Sequence, residues 1–103
     1  MKVQNMTSDK GNKIANQFII KDEVLFTNGE GQEKIGFIEV FQSYETVIVK
    51  ILHKGWKTET FLDNNKWDYS RTTGKYRNLF LGETKKETEK KIASGEYILT
   101  NLN

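Results

Sequence analysis

The chain has no cysteine and no proline, and His53 is its only histidine. Without cysteine there can be no disulfide, no catalytic thiol and no thiolate ligand for zinc. A histidine-based metal site or a nucleophile–histidine triad would depend on His53 alone. No apolar run approaches the ~20 residues that a membrane-spanning helix requires. We therefore expect a cytoplasmic protein with no bound metal, no cofactor and no membrane contact.

The acidic and glycine-containing segments also lack the arrangements that catalysis requires. Asp63 and Asp68 flank one loop, but both suit turn or capping roles better than paired acid–base catalysis. Gly29 and Gly31 are not followed by the lysine and helix of a phosphate-binding loop. The run Glu89-Lys90-Lys91 matches the end of a common nuclease motif, but that motif belongs on a strand and this run is strongly helical. The sequence therefore predicts a protein that is not an enzyme.

A length of 103 residues fits one domain. Residues 1–13 are polar and are expected to form a flexible tail, so that residues 14–103 form the domain. From Ile14 onward, apolar and β-branched residues alternate as in strands. Asn28-Gly29 predicts a tight hairpin turn with positive φ at both central positions, and Ser43-Tyr44-Glu45 and Lys54-Gly55 predict two more turns. We expect a single α+β domain with an antiparallel sheet of four to five strands.

The first of two predicted C-terminal helices begins at Arg71. Ser70 can cap its start, and Gly82 can end it in the left-handed conformation. Gly74 weakens this helix by about 1 kcal/mol relative to alanine. One apolar stripe is expected to hold the helix on the sheet, and it consists of Tyr76, Leu79 and Phe80.

The second predicted helix begins after Thr84. Thr84 and Glu87 match the capping-box pattern, in which each side chain binds the backbone of the other residue. Ser94-Gly95 is expected to end this helix. The apolar segment Tyr97–Leu99 would then return the chain to the core as an edge strand. Both helices are therefore expected to be short and to follow the strands.

The excess positive charge is concentrated in residues 67–81. This segment has three basic residues against one acid, whereas the residues before and after it are electrically balanced. Aromatic residues lie among these charges, which makes the segment a candidate contact surface. The candidate binding residues are Trp67, Tyr69, Arg71, Lys75, Arg77 and Asn78.

Three interpretations of this segment remain open from the residues alone. In the first, the aromatic residues belong to the core and the basic residues are simply solvated. In the second, Arg71, Lys75 and Asn78 project from the helix to bind phosphates, with Tyr69 as a stacking surface for a base. In the third, Arg71, Arg77 and Tyr69 anchor a protein interface, because tyrosine, tryptophan and arginine supply most interface hot spots.

Several motifs resemble a family of small proteins encoded by phages, plasmids and other mobile elements of bacteria. The most specific is the block Trp67–Arg77 with its continuation Phe80–Thr84. The ending Ser94–Leu99 and the segments Phe41–Tyr44 and Val47–Lys50 extend the likeness. The likeness covers residues 14–103, and this chain has additional hairpin residues within 22–39.

Some small mobile-element proteins of this general kind act as anti-CRISPR proteins against Cas9-type nucleases. The resemblance therefore implies a non-catalytic protein that binds and inhibits a host defence nuclease, namely a type II CRISPR effector or its guide RNA complex. It would act in the cytoplasm of the bacterial host cell as a monomer or homodimer. The alternative is a small nucleic-acid-binding or regulatory protein of a phage or plasmid, and a third candidate is a structural subunit of a larger assembly.

Overall fold

A computed structural model describes residues 1–103, which form six strands and two helices. The strands are β1 (Lys2–Thr7), β2 (Lys13–Thr27), β3 (Glu33–Ser43), β4 (Thr46–Lys54), β5 (Lys57–Asp63) and β6 (Tyr97–Thr100). The helices are α1 (Arg71–Leu81) and α2 (Lys85–Ser94), and both lie between β5 and β6 in the sequence. The chain is therefore an α+β protein, as the sequence predicts.

All six strands form one sheet in the order in which they occur in the chain. Neighbouring strands from β1 to β5 are antiparallel, whereas β6 pairs with β5 in parallel. The expected antiparallel sheet of four to five strands is thus replaced by a mixed sheet of six. The parallel pair arises because α1 and α2 carry the chain back to the level of Thr60, in the middle of β5, before β6 begins.

The N-terminal residues form strand β1 rather than the flexible tail that their polarity predicts. β1 pairs with β2, and the Asn5 side-chain amide donates a hydrogen bond to the Ile14 carbonyl at 2.9 Å. Met6, only 7% exposed, lies in the hydrophobic core. β1 forms a strand although it contains few apolar residues, because its structure depends on pairing with β2 rather than on its own composition.

The hairpin between β2 and β3 is wider than the predicted two-residue turn. The Asn28 carboxamide oxygen accepts hydrogen bonds from the backbone N–H groups of Glu30 at 3.0 Å and Gln32 at 2.9 Å. Gly31, with φ of 79°, adopts the left-handed conformation, and Gly29 does not. The position of the turn is therefore confirmed, but its type is wrong, because the Asn28 side chain organises a longer loop.

The other two predicted turns are present, at Tyr44 with φ of 56° and at Gly55 with φ of 62°. A register shift next to Phe41 marks a β-bulge between β3 and β4. Ile48 and Val49 follow each other at this bulge, and both are fully buried. A bulge redirects side chains, which explains why two consecutive residues can both reach the core.

The predicted boundaries of α1 are confirmed. The Ser70 hydroxyl accepts a hydrogen bond from the Thr73 backbone N–H at 3.1 Å. Gly82 ends the helix in the left-handed conformation with φ of 69°, and its N–H donates to the Asn78 carbonyl at 2.8 Å. Both ends of the helix therefore satisfy backbone groups that would otherwise lack partners.

Two residues of the predicted stripe on α1, Tyr76 and Phe80, pack against the core, but the third does not. The Thr73 and Ser43 hydroxyls lie 3.1 Å apart, and the rings of Phe80 and Phe41 stack with centroids 5.8 Å apart. Leu79 is 57% exposed, so its predicted role in holding the helix is wrong. Because successive helical residues are about 100° apart, a helix face centred on Thr73 and Phe80 turns Leu79 towards solvent.

Helix α2 begins and ends where the sequence predicts. Thr84 and Glu87 form a complete capping box, and Gly95 ends the helix with φ of 84°. The Tyr97 hydroxyl in β6 donates a hydrogen bond to Glu83 just before α2, at 2.7 Å. The ladder register places Tyr97 on the sheet face that also carries Phe41. Both helices therefore pack on the same face of the sheet, where the buried core residues are Met6, Phe41, Ile48, Val49, Leu62 and Tyr97.

Candidate functional site

The loop that leads into α1 is held by a buried carboxylate. Asp63 is 2% exposed, and it accepts backbone hydrogen bonds from Lys66 at 2.9 Å, Asn65 at 3.2 Å and Leu102 at 2.9 Å. Burial opposes ionisation of Asp63, but these N–H donors together outweigh it and keep the pKa of the carboxyl below its ordinary value. Asp63 thus has the turn role that the sequence favours, and it fixes where α1 starts.

Arg77 is buried beneath this loop, with only 1% of the residue exposed. Its Nη1 donates to the Trp67 carbonyl at 2.7 Å and to Asp68 Oδ1 at 3.0 Å, and its Nη2 donates to Asn78 Oδ1 at 2.9 Å. The guanidinium also lies over the Trp67 ring, 5.0 Å from the ring centre. The expectation that Arg77 anchors a partner is therefore corrected, since its side chain binds Trp67, Asp68 and Asn78 inside the protein.

Asp68 connects the two helices. One carboxylate oxygen accepts from Arg77 in α1, and the other lies 2.6 Å from Lys85 Nζ in the first turn of α2. Burial raises the pKa of Asp68, but the hydrogen bonds from Lys85 and Arg77 exceed this effect and lower it. Asp68 is therefore ionised and already neutralised by two cations, which makes it unsuited to general acid catalysis.

A second polar cluster fixes α2 against β6. Glu83 accepts hydrogen bonds from Thr88 Oγ1 at 2.6 Å, Lys91 Nζ at 2.8 Å and the Tyr97 hydroxyl at 2.7 Å. Burial opposes ionisation of Glu83, yet these donors hold its pKa below the ordinary value. Burial, reinforced by the Glu83 carboxylate, raises the pKa of Tyr97 to about 12. Each member has a partner inside the cluster, so this is a structural network.

The remaining predicted residues line a shallow groove of about 980 Å³ between α1 and the start of α2. We call this surface the cationic groove, and we define it by Tyr69, Arg71, Lys75 and Leu79. Arg71 and Lys75 are exposed and form no ion pair. Lys66 Nζ lies over the Tyr69 ring, 5.1 Å from the ring centre. The acids in the groove wall, Asp68 and Glu83, are already paired, so the groove presents unneutralised positive charge beside an aromatic ring.

The six predicted binding residues thus divide into two sets. Tyr69, Arg71 and Lys75 are solvent-exposed in the cationic groove. Trp67, Arg77 and Asn78 form the network beneath it, although Asn78 also contributes to the groove wall. The sequence analysis missed Leu79 as an exposed apolar group in this surface.

His53 lies away from the groove and binds other side chains. Its Nε2 is 2.8 Å from Glu39 Oε1, and its Nδ1 is 3.5 Å from the Thr58 hydroxyl.

No group of three or more His, Cys, Asp or Glu side chains is placed to hold a metal ion. Neither helix has the length and apolar content needed to cross a membrane.

These features define a small α+β domain in which two helices cover one face of a mixed sheet and present a cationic groove. The chain belongs to the family described as Family of unknown function (DUF8033), whose profile matches residues 1–96. No curated protein and no solved structure matches the chain.

Proposed function

We propose that this protein is a non-catalytic accessory protein of a mobile element that binds and inhibits a host defence nuclease. The proposed target is a type II CRISPR effector or its guide-loaded complex. The identity of the target comes from the resemblance of the Trp67–Arg77 block to small mobile-element proteins. The cationic groove is the proposed contact surface.

The observation that carries this proposal is the contrast between two kinds of cation on the helices. Arg77, Lys85 and Lys91 each bind an acid of the protein itself. Arg71 and Lys75 have no such partner and stand in the same groove. Exposed arginine next to tyrosine is the composition that most often supplies the binding energy of protein interfaces.

A cleavage assay with purified nuclease, guide and DNA substrate tests the proposal. We expect the wild-type protein to suppress cleavage when it is mixed with the nuclease before or after guide loading. The variant R71E/K75E should lose this inhibition, because it reverses both unpaired charges of the groove. Full cleavage in the presence of a large molar excess of wild-type protein, in both orders of addition, would refute the proposed activity.

A matched control is available on the neighbouring helix. Lys86 and Lys90 are exposed in α2, form no ion pair and lie four residues apart, as Arg71 and Lys75 do. The variant K86E/K90E makes the same change in net charge and should inhibit as well as the wild type. Equal loss of inhibition in both variants would show that total charge, and not the groove, determines binding.

Nucleic-acid binding is the second candidate, because Tyr69 with Arg71 and Lys75 also suits a base stacked beside bound phosphates. Binding of a single strand through the two or three phosphates that Arg71, Lys75 and Lys66 can reach should weaken by roughly 7- to 18-fold between 50 and 200 mM salt. A gel shift with single-stranded DNA or RNA over this range separates the candidates. A shift that disappears with salt would favour nucleic acid, and salt-resistant association with the nuclease would favour the inhibitor.

A further inference from the structure

The strands of this protein carry apolar residues in consecutive runs. Phe18-Ile19-Ile20 and Val24-Leu25-Phe26 lie in β2, and Ile51-Leu52 lies in β4. Antiparallel strands with one solvated face usually alternate apolar and polar residues, whereas consecutive runs are typical of strands that are covered on both faces. Both helices pack on one face only, so the second face has apolar side chains without a covering layer.

We call that second face the open face. The ladder register forms a row across all six strands from Val3 through Ile20, Val40, Lys50 and Phe61 to Ile98. Val3 is 55% exposed and Ile98 is 44% exposed, so the row is accessible at both ends, whereas Val40 near its middle is only 8% exposed. The apolar side chains of the open face are Val3, Phe18, Ile20, Val24, Phe26, Ile38, Val40, Leu52, Phe61 and Ile98.

The size of this face matches a stable protein interface. Six strands at about 4.8 Å spacing span about 24 Å, and the apolar rows extend for a similar length along β2. Contiguous apolar patches on monomers rarely exceed a few hundred Å². A standard interface buries about 800 Å² on each partner, which a face of these dimensions can supply.

The charges on the open face are arranged symmetrically about its centre. Lys50 in β4 forms no ion pair, and Asp22 in β2 contacts the N-terminal amine at 3.5 Å and accepts a hydrogen bond from the Glu23 backbone N–H at 2.9 Å. Glu59 also lies on this face, opposite Leu52, but it is already paired with Lys54 at 2.7 Å. β3 runs between them, and its residues Ile38 and Val40 lie at the centre of the face. Lys50 is level with Val40 and Asp22 is level with Ile38, so the two charges lie on opposite sides of one central point.

We propose that the open face packs against the open face of a second copy of this chain. The two-fold axis lies between the two sheets, passes over the midpoint between Ile38 and Val40, and is perpendicular to the line from Lys50 to Asp22. Such an axis places Lys50 of each copy opposite Asp22 of the other, which gives two ion pairs across a contact in which two further charges, Lys54 and Glu59, are paired within each copy. Two-fold dimers are the commonest assemblies of soluble proteins, and their interfaces are more apolar than those of transient complexes. The helices lie on the far side of each sheet, so the cationic grooves of the dimer remain accessible.

Sedimentation equilibrium over a wide range of protein concentration tests the proposal. The wild type should sediment with about twice the 12.0 kDa of one chain. K50E and D22K should each raise the dimer dissociation constant at least about tenfold, because each places like charges in contact across the interface. The double variant K50E/D22K restores opposite charges and should recover most of the affinity, whereas K90E on the exposed side of α2 should dimerise as the wild type does.

A wild type that stays at 12.0 kDa at every concentration would overturn the proposal and leave the open face to another occupant. A dimer that is unaffected by K50E and D22K, or that the double variant does not restore, would also overturn it. Circular dichroism of each variant checks that the domain is folded.

Cross-linking gives a second measurement that does not depend on charge. Because the chain has no cysteine, I38C carries a single thiol next to the proposed axis. Facing sheets lie about 10 Å apart, so a bis-maleimide of that length should join two copies of I38C into a covalent dimer. The control T72C has its thiol on exposed α1 and should stay monomeric on denaturing gels. Cross-linking of T72C but not of I38C would place the interface on the helical face and overturn the proposal.

Discussion

Replacement of Arg77 by alanine is the perturbation that best separates a structural role from a contact role. Arg77 donates three hydrogen bonds, two from Nη1 and one from Nη2, and its guanidinium lies over the Trp67 ring. If Arg77 were a surface residue, R77A would change the free energy of unfolding by less than about 0.5 kcal/mol. Because it is buried, we expect a large loss of stability instead.

The size of the loss follows from what the alanine leaves behind. Removing one member of a fully buried ion pair costs about 3–5 kcal/mol, because the other charge is left without a partner. Asp68 keeps Lys85 as a partner at 2.6 Å, and its side chain is 29% exposed, so the lower end of that range applies. We expect R77A to lower the unfolding free energy by about 3 kcal/mol, which corresponds to roughly 12–24 °C in Tm for a domain of this size.

Urea unfolding followed by tryptophan fluorescence measures this loss. Trp56 is 94% exposed, so W56F should leave stability unchanged and make Trp67, which contacts Arg77, the sole reporter. In this background R77K should recover less than half of the loss, because an ammonium group cannot donate in the fork geometry of a guanidinium. A loss below about 1 kcal/mol in R77A would refute the structural role of Arg77.

Three further changes test other parts of the structure. G74A should raise Tm by roughly 4–8 °C, because alanine is about 1 kcal/mol better than glycine inside a helix and its Cβ would lie 3.7 Å from Arg77 Nη2 at ordinary contact distance. T84A should lower the unfolding free energy by about 1 kcal/mol in the same urea assay, because it removes the hydroxyl that accepts from the Glu87 backbone N–H at 3.2 Å, while the bond from the residue 84 backbone N–H to the Glu87 carboxylate remains. D63N should weaken the acid sensitivity of the domain. The pKa of Asp63 in the folded protein lies below its ordinary 3.8, so the ionised carboxylate stabilises the fold at pH values above 3.8. This stabilisation is lost as the pH falls through the lower pKa of the folded protein. Unfolding free energies measured from pH 6 to pH 2 should then fall less steeply for D63N than for the wild type, and parallel curves would contradict this account.

Local signals in the sequence predicted most of the secondary structure. Ser70, Gly82 and the Thr84–Glu87 pair have roles that depend on a few neighbouring residues, and the structure confirms all of them. The alternating residues of the central strands were equally informative. Strand β1 could not be predicted in this way, because its structure depends on pairing with β2 and not on its own residues.

The exposure of the candidate binding residues was predicted only in part. Arg71 and Lys75 are exposed and form no ion pair, as the sequence predicts, although Lys75 Nζ lies 5.4 Å from the centre of the Tyr76 ring. The burial of Arg77 depends on the rotation of α1 about its own axis. The apolar residues of the sequence do not reveal this rotation, because the buried residues of α1 include the polar Thr73 and Arg77. The i, i+4 spacing of Thr73 and Arg77, followed three residues later by Phe80, is the signal that could have indicated the buried side.

The parallel pairing of β6 with β5 has a consequence for the order in which a newly made chain can assemble. Tyr97 pairs with Thr60, so the final ladder joins residues 37 positions apart, whereas the hairpins before it connect near neighbours. During synthesis the first five strands can therefore associate while the outer edge of β5 still has unbonded backbone groups, and such an edge readily pairs with other chains. Only when both helices have turned the chain back does β6 close that edge, which makes the interval before its arrival the period when nascent molecules are most prone to aggregate.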